Sequence, residues 1–295
     1  MEGIVTVLKP PAMSSSDVVV DIRKLFETKR VGHLGTLDPE AAGVLPVCVG
    51  RAVRLFDYLV DKPKEYLAEI VFGIATDTQD AQGMITERSE KIVSESQLQS
   101  VLPLFCGEME QIAPIYSALK HNGKKLYDLA RAGSDVPEKK RSVFLDRIEY
   151  IEQTGKNRFL IRIACSRGTY IRTLCADIGV SLGVPAHMSF LLRTSSGPFR
   201  LEQAYTIAGL KTLKDQDLLA AALIPCEKAL SFLPPCVLAD NRMKPSLNGL
   251  ETSLRDSLTG PVRLYSGQVF LGIGLADRSS VKLVVNLFEN DSSFR

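Results

Sequence analysis

The spacing of apolar residues switches repeatedly along the chain between the two-residue period of a strand and the 3.6-residue period of a helix. Tyr66–Phe72 alternates and predicts a strand, whereas Thr169–Leu182 has apolar residues at helical spacing and predicts a helix. Because the two kinds of segment alternate without a strict repeat, the sequence predicts a mixed sheet flanked by helices.

Other segments complete this outline. Strands are predicted at Gly3–Leu8, Val44–Val49, Val143–Glu152, Arg158–Cys165 and His187–Arg193, and helices from Ser14 through Phe26 and at Ala52–Val60, Ser94–Leu104, Leu126–Ala132 and Asp215–Leu230. Near Pro234 the pattern changes to short β-rich segments divided by Gly and Ser. We therefore expect a large domain over residues 1–232 and a small β-rich domain over 233–295.

Composition excludes several classes of protein. Hydrophobic residues make up 45% and charged residues 24% of the 295, which is typical of a globular protein. No apolar run approaches the roughly 20 residues of a membrane helix, and no secretory signal is visible, so we expect a cytoplasmic protein. The six cysteines form no CxxC pair and only three histidines are present, so we expect no metal site, no disulfides and six buried thiols.

Positive charge is concentrated in one window. The net charge is +2, but residues 120–147 contain eight Lys or Arg against four Asp or Glu. Such a window can offer a surface to phosphates or can be a solvated charged loop. Charge alone leaves these two interpretations about even.

The segment Gly32–Gly43, GHLGTLDPEAAG, presents a single aspartate, Asp38, among three glycines and before Pro39. Glycine permits close approach of a ligand, and the proline restricts Asp38 to an extended conformation that aims its side chain. The sequence lacks a P-loop, a dinucleotide-binding fingerprint and an HExxH helix, so any chemistry relies on side chains. Asp38 is a candidate nucleophile, although an ordinary Asp-Pro turn explains these local features equally well.

A second segment, CSRGTYIRTLCADIG at Cys165–Gly179, places Arg172 in the first turn of a predicted helix. A cation at a helix N-terminus is unfavourable with the helix dipole, so Arg172 is expected to have a partner, although a surface arginine is the commoner explanation on these features alone. If that partner is Asp38, the guanidinium keeps the carboxylate ionised, as a nucleophile requires.

These segments resemble the TruB family, the tRNA pseudouridine-55 synthases. The resemblance rests on the Gly32–Gly43 segment with the residues after it, on KPPAMSSSDVV, KEYLAEIVFGIATDTQDAQG, QIAPIYSALKHNGKKLYDLARAG and AHMSFLLRTSSGPF, and on the segment that contains Arg172. It extends over about Ile4–Phe199. It implies an α+β fold with a mainly antiparallel central sheet, and the β-rich tail resembles the PUA-like domain of many members.

The resemblance implies a reaction in which uracil leaves its ribose, turns and rejoins through C5 instead of N1. Asp38 then acts as the nucleophile, on C1′ of the sugar or C6 of the base, and Arg172 is its partner. Tyr66 matches the tyrosine that stacks on the target uracil and can remove the C5 proton, and His33 matches the histidine beside the flipped-out nucleotides. The RNA-binding candidates are His33, Lys9, Tyr116, Lys120, Lys139, Lys140 and Arg141.

The expected partner is the T-arm of tRNA, bound by a monomer that uses no cofactor and no metal. The chain departs from the family pattern at four positions, Ala12, Leu34, Ala113 and Leu192, where the family usually or often has Gly, Thr, Pro and Arg. Two alternatives remain open. One is a tRNA-folding helper whose role does not depend on catalysis, and the other is a glycosidase, which needs a second acid such as Glu40.

Overall fold

The computed structural model describes residues 1–114, 120, 121, 124, 125 and 138–288, with only the backbone at 120, 121, 124, 125, 255 and 256. The predicted helix at Leu126–Ala132, Tyr116 and the side chain of Lys120 therefore lie outside the described residues. Among the described residues, no helix has both the length and the apolar character needed to cross a bilayer.

The elements follow one another in an irregular α/β order. The strands are β1 Gly3–Lys9, β2 Val31–His33, β3 Ala42–Val49, β4 Lys64–Phe72, β5 Ile74–Thr76, β6 Ile85–Arg88, β7 Gly107–Ile112, β8 Lys120–His121, β9 Lys124–Lys125, β10 Lys140–Gly155, β11 Arg158–Cys165, β12 Ala186–Ser196, β13 Phe199–Arg200, β14 Leu223–Ile224, β15 Pro235–Leu238, β16 Thr252–Ser266 and β17 Val269–Asn286. The described α-helices are α1 Ser15–Leu25, α2 Phe56–Leu59, α3 Glu95–Val101, α4 Ile171–Leu182, α5 Ile207–Asp215, α6 Cys226–Ala229 and α7 Met243–Leu247.

Ten strands form one sheet in the order β14-β1-β3-β12-β4-β11-β10-β7, with β2 beside β3 and β13 beside β12. Every pairing in this sheet is antiparallel except that of β3 with β12. The prediction of a mixed, mainly antiparallel sheet flanked by helices is thereby confirmed. The one parallel pairing lies near the middle of the sheet, where the chain assembles the site described below.

Helices cover the sheet because each strand buries apolar side chains on alternate faces. One core packs α3 and α4 against β4, β10, β11 and β12. A second packs α1 and α5 against the face of β1 and β3 that carries Val5, Val7 and Leu45. On the opposite face of these two strands, Ile4 and Val44 pack with Ile273 and Leu287 of the C-terminal segment.

The C-terminal strands β15, β16 and β17 form a separate three-stranded sheet with an apolar core of its own. The end of β17 and the residues just after it are held against the 3₁₀ turn Gly50–Leu55 that follows β3, because Arg51 donates to the carbonyl of Phe288 and Arg54 to that of Asn286, the latter at 3.0 Å. The domain boundary at 232/233 stays a prediction.

Two sequence-based predictions are wrong. Asp215–Leu230 is not one helix: α5 ends at Asp215, a 3₁₀ turn follows at Leu219–Ala222, and β14 and α6 come next. Asp217 has a φ of 57°, which ends the helical path, and β14 pairs with β1 in the main sheet. Five cysteines are buried as expected, but Cys106 is exposed.

Candidate active site

A cavity of about 330 Å³ lies where the loop between β2 and β3 meets β4, β12 and the N-terminus of α4. Its lining is His33, Gly35, Thr36, Leu37, Asp38, Phe56, Val60, Lys64, Tyr66, Arg167, Gly168, Thr169, Tyr170, Ile171, Arg172, Leu191 and Arg193. Among these residues Asp38 is the one carboxylate. Glu40, the second acid that a glycosidase would need, is exposed and does not line the cavity.

The loop that carries Asp38 is held from helix α1. Ser15, the first residue of α1, accepts a hydrogen bond from the backbone N–H of Leu37 at 2.9 Å. The side chain of Leu37 is itself buried in the core. Gly35 adopts a φ of 108°, a conformation that favours glycine, and so allows the chain to turn into this segment. Asp38 is therefore presented by a fixed turn.

Lys9 holds the same loop from strand β1. Its side chain is fully buried, and its ammonium group donates to the carbonyls of Pro10, Met13 and Pro39 at 2.6–2.8 Å. Burial lowers the pKa of Lys9 to about 8, although nearby carboxylates, including that of Asp38, raise it. Pro39 directly follows Asp38, so Lys9 positions the aspartate's backbone. A direct contact of Lys9 with RNA stays a prediction.

Arg193, on β12, is a third anchor and was missed by the sequence reasoning. Its buried guanidinium donates to the carbonyls of Val44 at 2.7 Å, Gly35 at 3.2 Å and Thr36 at 3.3 Å. These bonds join β3 to the loop that carries Asp38. The sequence offered one signal: Arg193 is the only arginine in a strand of mainly apolar and small residues. A charge buried in such a strand needs several hydrogen-bond partners.

The structure brings Asp38 and Arg172 together. Nε of Arg172 lies 2.9 Å from Oδ2 of Asp38, and the arginine side chain is 5% exposed whereas that of the aspartate is 42% exposed. Arg172 also donates to the carbonyl of Thr78 at 3.1 Å and lies 3.5 Å from the carboxylate of Asp80. The guanidinium of Arg172 is thus fixed by Thr78 and Asp80 as well as by Asp38, and the carboxylate of Asp38 remains open to the cavity.

Asp80, a second functional candidate that the sequence reasoning missed, belongs to the loop between β5 and β6. Its backbone carbonyl accepts from the hydroxyl of Thr76 at 2.6 Å. The neighbouring Gln79 has a φ of 63° and accepts from the hydroxyl of Thr173 on α4 at 2.9 Å. The loop therefore contacts the first turn of α4 and places the carboxylate of Asp80 beside the guanidinium of Arg172.

Tyr66 lies on β4 opposite Arg193 in the β4–β12 pairing and is 9% exposed. Burial raises the pKa of its phenol, and the guanidinium of Arg193 acts in the opposite direction. At neutral pH Tyr66 is therefore a neutral phenol whose ring lines the same cavity as Asp38.

His33 lies at the end of β2 on the cavity wall. Burial, and next the charge of Arg193, lower the pKa of its imidazole, so the ring is neutral at pH 7. Its Nδ1 is buried and has no hydrogen-bond partner among the described residues. A neutral imidazole with an unused polar atom is suited to a ligand that hydrogen-bonds or stacks.

The described part of the basic window adds charge beside the cavity. The guanidinium of Arg141 packs on the backbone of Gly168 and lies 5.9 Å from the ring centre of Tyr170, and both of these residues line the cavity. Lys140 is exposed and lies 3.6 Å from Glu110. Lys139 is half-buried, and its carbonyl accepts from the N–H of Ala113, a bond that a proline at 113 could not donate.

Two of the other departures also have a visible structural consequence. Leu34 is fully buried in the core that contains Ile4 and Val44, so it contributes apolar packing at a position where the family usually has a hydroxyl. Ala12 has a φ of 60°, which explains a preference for glycine there. No described group of three or more His, Cys, Asp or Glu side chains is arranged to hold a metal ion.

Comparison with known proteins agrees with this geometry. Residues 23–171 match the TruB family pseudouridylate synthase N-terminal domain, and residues 172–231 match the tRNA pseudouridylate synthase B C-terminal domain. The tRNA pseudouridine synthase B of Bacillus licheniformis is 45% identical over 85% of this chain and 84% of its own length. That of Alkaliphilus oremlandii is 40% identical over 99% of this chain and all of its own length.

Solved structures show the same fold. A Cbf5-Nop10-Gar1 complex contains a chain that superposes with a TM-score of 0.72 at 28% identity, over 94% of this chain and 78% of that one. An H/ACA RNP bound to a substrate RNA containing 2′-deoxyuridine contains a chain with a TM-score of 0.75 at 25% identity, over 98% and 86%.

Proposed function

The chain belongs to the TruB family of pseudouridylate synthases, and on this premise we propose that it converts uridine 55 in the T-loop of tRNA to pseudouridine, with Asp38 as nucleophile. The observation that carries the proposal is the half-exposed carboxylate of Asp38, 2.9 Å from Arg172, in one cavity with Tyr66. The proposal includes a monomeric, cytoplasmic enzyme that binds the T-arm.

Access to the cavity requires the target nucleotide to leave its stack. Extrusion of a base costs a few kcal/mol, and stacking on an aromatic ring returns about 1–3 kcal/mol per base. Tyr66 supplies such a ring inside the cavity, and His33 offers a neutral imidazole on the wall. The side chains of Lys139, Lys140 and Arg141 are the described candidates for contacts with phosphates outside it.

The chemistry is an isomerisation without net oxidation. The carboxylate of Asp38 attacks C1′ of the ribose or C6 of the uracil, the N1–C1′ bond breaks, a C5–C1′ bond forms, and the bond between Asp38 and that carbon breaks to return the free carboxylate. The C5 proton then leaves, and N1 gains a proton. Arg172 stabilises the carboxylate as an anion before the attack and after its release, because its guanidinium is held against Asp38 by Thr78 and Asp80.

Tyr66 is the candidate for removal of the C5 proton. Because burial keeps its phenol protonated, Tyr66 first gives its own proton to N1 of the detached uracil and then accepts the C5 proton as a phenolate. Arg193, the neighbour of Tyr66 across the strand pair, favours the phenolate that this transfer needs. Tyr66 and Arg193 therefore form the pair that handles the proton in the cavity that also contains Asp38.

The test is to incubate the protein with an unmodified tRNA transcript and map pseudouridine by position. We expect product at position 55 with the wild type and none with Asp38→Asn, while the variant retains its affinity for the transcript. Asp57→Asn, a change at an exposed aspartate outside the cavity lining, is the matched control and should leave turnover intact. Turnover by Asp38→Asn would overturn the assignment of the nucleophile.

The same experiment addresses the folding-helper alternative. A transcript with cytidine at position 55 should bind and remain unmodified. If the wild type makes no pseudouridine in either transcript, yet wild type and Asp38→Asn accelerate tRNA folding equally, the catalytic proposal fails and the helper function is supported.

A further inference from the structure

The mouth of the cavity carries an exposed aromatic side chain to which the reaction above gives no role. Phe56, the first residue of α2, lines the cavity and is 39% exposed. By contrast, Leu55, which precedes α2, and Leu59, its last residue, are buried in the core. Single exposed apolar side chains are ordinary on a protein surface, but one that also lines a binding cavity is placed to contact the ligand.

The ring is held in this exposed place by its backbone. The carbonyl of Phe56 accepts from the N–H of Val60 at 2.9 Å, which closes the single turn of α2. The buried ammonium of Lys64 then donates to the carbonyls of Val60 and Lys62, just beyond the C-terminal end of the turn. Because Leu55 and Leu59 lie in the core and Lys64 holds the residues at the C-terminal end of the turn, α2 is a rigid support for Phe56.

Tyr66 and Phe56 both line the cavity but differ in exposure, which indicates different roles. Tyr66 is nearly buried beside Asp38, whereas Phe56 lies at the rim, and a cavity of about 330 Å³ is at the small end of ligand sites, which span roughly 300–1,000 Å³. The interior therefore suits one nucleotide, and Phe56 meets the next. We propose that Phe56 is a stacking platform for the base of a nucleotide that flanks the target uridine.

This inference rests on the proposed function, because it takes the occupant of the cavity to be a flipped-out uridine. Its chemistry is the flat π-face of a nucleobase on a phenyl ring, an interaction that tolerates any base. It predicts that a flat ring is required at position 56, and that apolar bulk is not enough. Phe56→Tyr keeps the ring, and Phe56→Leu keeps only bulk.

The experiment uses T-arm stem–loop RNAs with the fluorescent base 2-aminopurine at either nucleotide flanking the target uridine, and the Asp38→Asn background to prevent turnover. Binding should quench the fluorescence at one flanking position in the parent protein and in Phe56→Tyr, and should leave it unquenched in Phe56→Leu. In the catalytically intact protein, Phe56→Leu should raise KM about 5- to 10-fold with kcat unchanged.

Phe190→Leu is the matched control, because Phe190 is 45% exposed on β12 and does not line the cavity. It should leave both quenching and KM unchanged. Quenching by Phe56→Leu equal to that of the parent, or quenching at neither position in the parent, would overturn the inference. Since quenching is read without turnover, this result stands whether or not the wild type makes pseudouridine.

Discussion

At the scale of single residues, three cations fix the surroundings of Asp38 through different partners. Lys9 binds the carbonyl of Pro39, the residue after the aspartate, and Arg172 binds the carboxylate itself. Arg193 differs from both because its guanidinium donates to backbone carbonyls that lie before Asp38 in the loop and after it in β3. The position of the Asp38 carboxylate therefore depends on one direct ion pair, with Arg172, and on buried hydrogen bonds that Lys9 and Arg193 make with the backbone.

Arg193→Met tests this dependence. Methionine fills similar space but leaves the carbonyls of Gly35, Thr36 and Val44 without their donor. A buried unsatisfied polar group costs about 1–3 kcal/mol, so we expect about 3 kcal/mol less stability in urea unfolding. Displacement of a catalytic group by about 1 Å can cost 100-fold in rate, so single-turnover pseudouridine formation should slow by about that factor.

The control for this variant is Arg30→Met, which removes an arginine at an exposed position. It should unfold and react as the wild type does. A folded Arg193→Met protein with wild-type turnover would show that the loop keeps its geometry without the guanidinium.

At the scale of elements, the site depends on the parallel pairing of β3 with β12. Gly43 pairs with Arg193 there and has a φ of 112°. A Cβ at this glycine would collide with the backbone of Arg193, so the two strands approach each other more closely than any side chain permits. This approach brings Arg193 within reach of the loop before β3.

Gly43→Ala should therefore destabilise the protein twice over, by backbone strain and by overlap with β12. Gly107→Ala separates the two effects, because Gly107 has a φ of 98° but a Cβ added there would meet no heavy atom within 4 Å. Strain alone costs about 1–2 kcal/mol. We expect Gly43→Ala to lose at least about 2 kcal/mol more than Gly107→Ala in urea unfolding.

Equal losses in the two variants would contradict this account, because they would show that β12 moves away from an added methyl group at no cost. Loss of folding by Gly43→Ala alone, with Gly107→Ala folded, agrees with it.

Elements whose signals are local could be predicted from the sequence. The existence of helix α1 was predicted from local signals, and Ser14 and Asp17 form the capping box that begins it. The helix predicted over Asp215–Leu230 failed because the preference of a leucine- and alanine-rich segment for helix was overridden by tertiary structure. Leu223 and Ile224 gain more from pairing with β1 at the edge of the sheet.

The candidate site likewise contains features that neighbouring residues predict and features that only the tertiary structure determines. The glycine- and proline-restricted turn that presents Asp38, and the expectation of a partner for Arg172, could be predicted from neighbouring residues. The structure places these two side chains together. Arg193 was not readable, because it contacts Val44 across 149 positions of sequence, and the register that joins them is set only when β3 and β12 pair. The role of Asp80 was not readable either, because its contact with Arg172 depends on how α4 packs beside the loop between β5 and β6.

At the scale of the whole molecule, charge is distributed unevenly around a nearly neutral total. The net charge is +2, and the window of residues 120–147 holds an excess of four positive charges. Its described part leads into β10, where Lys140 is exposed and Arg141 packs beside the cavity lining. We therefore expect that a polyanion bound by Lys139, Lys140 and Arg141 is guided toward the cavity, whereas a small neutral ligand is not.

Replacement of both Lys139 and Lys140 by Gln tests this guidance. Each lost phosphate contact should lower the slope of log K against log salt concentration by about 1, so the slope should fall by up to about 2. The rate at saturating tRNA should not change, because neither lysine lines the cavity. Replacement of Lys211 and Lys228, two exposed lysines outside the window, removes the same charge and should leave the slope unchanged. Equal slopes for the two double variants would mean that only net charge matters and that the window is an ordinary solvated segment.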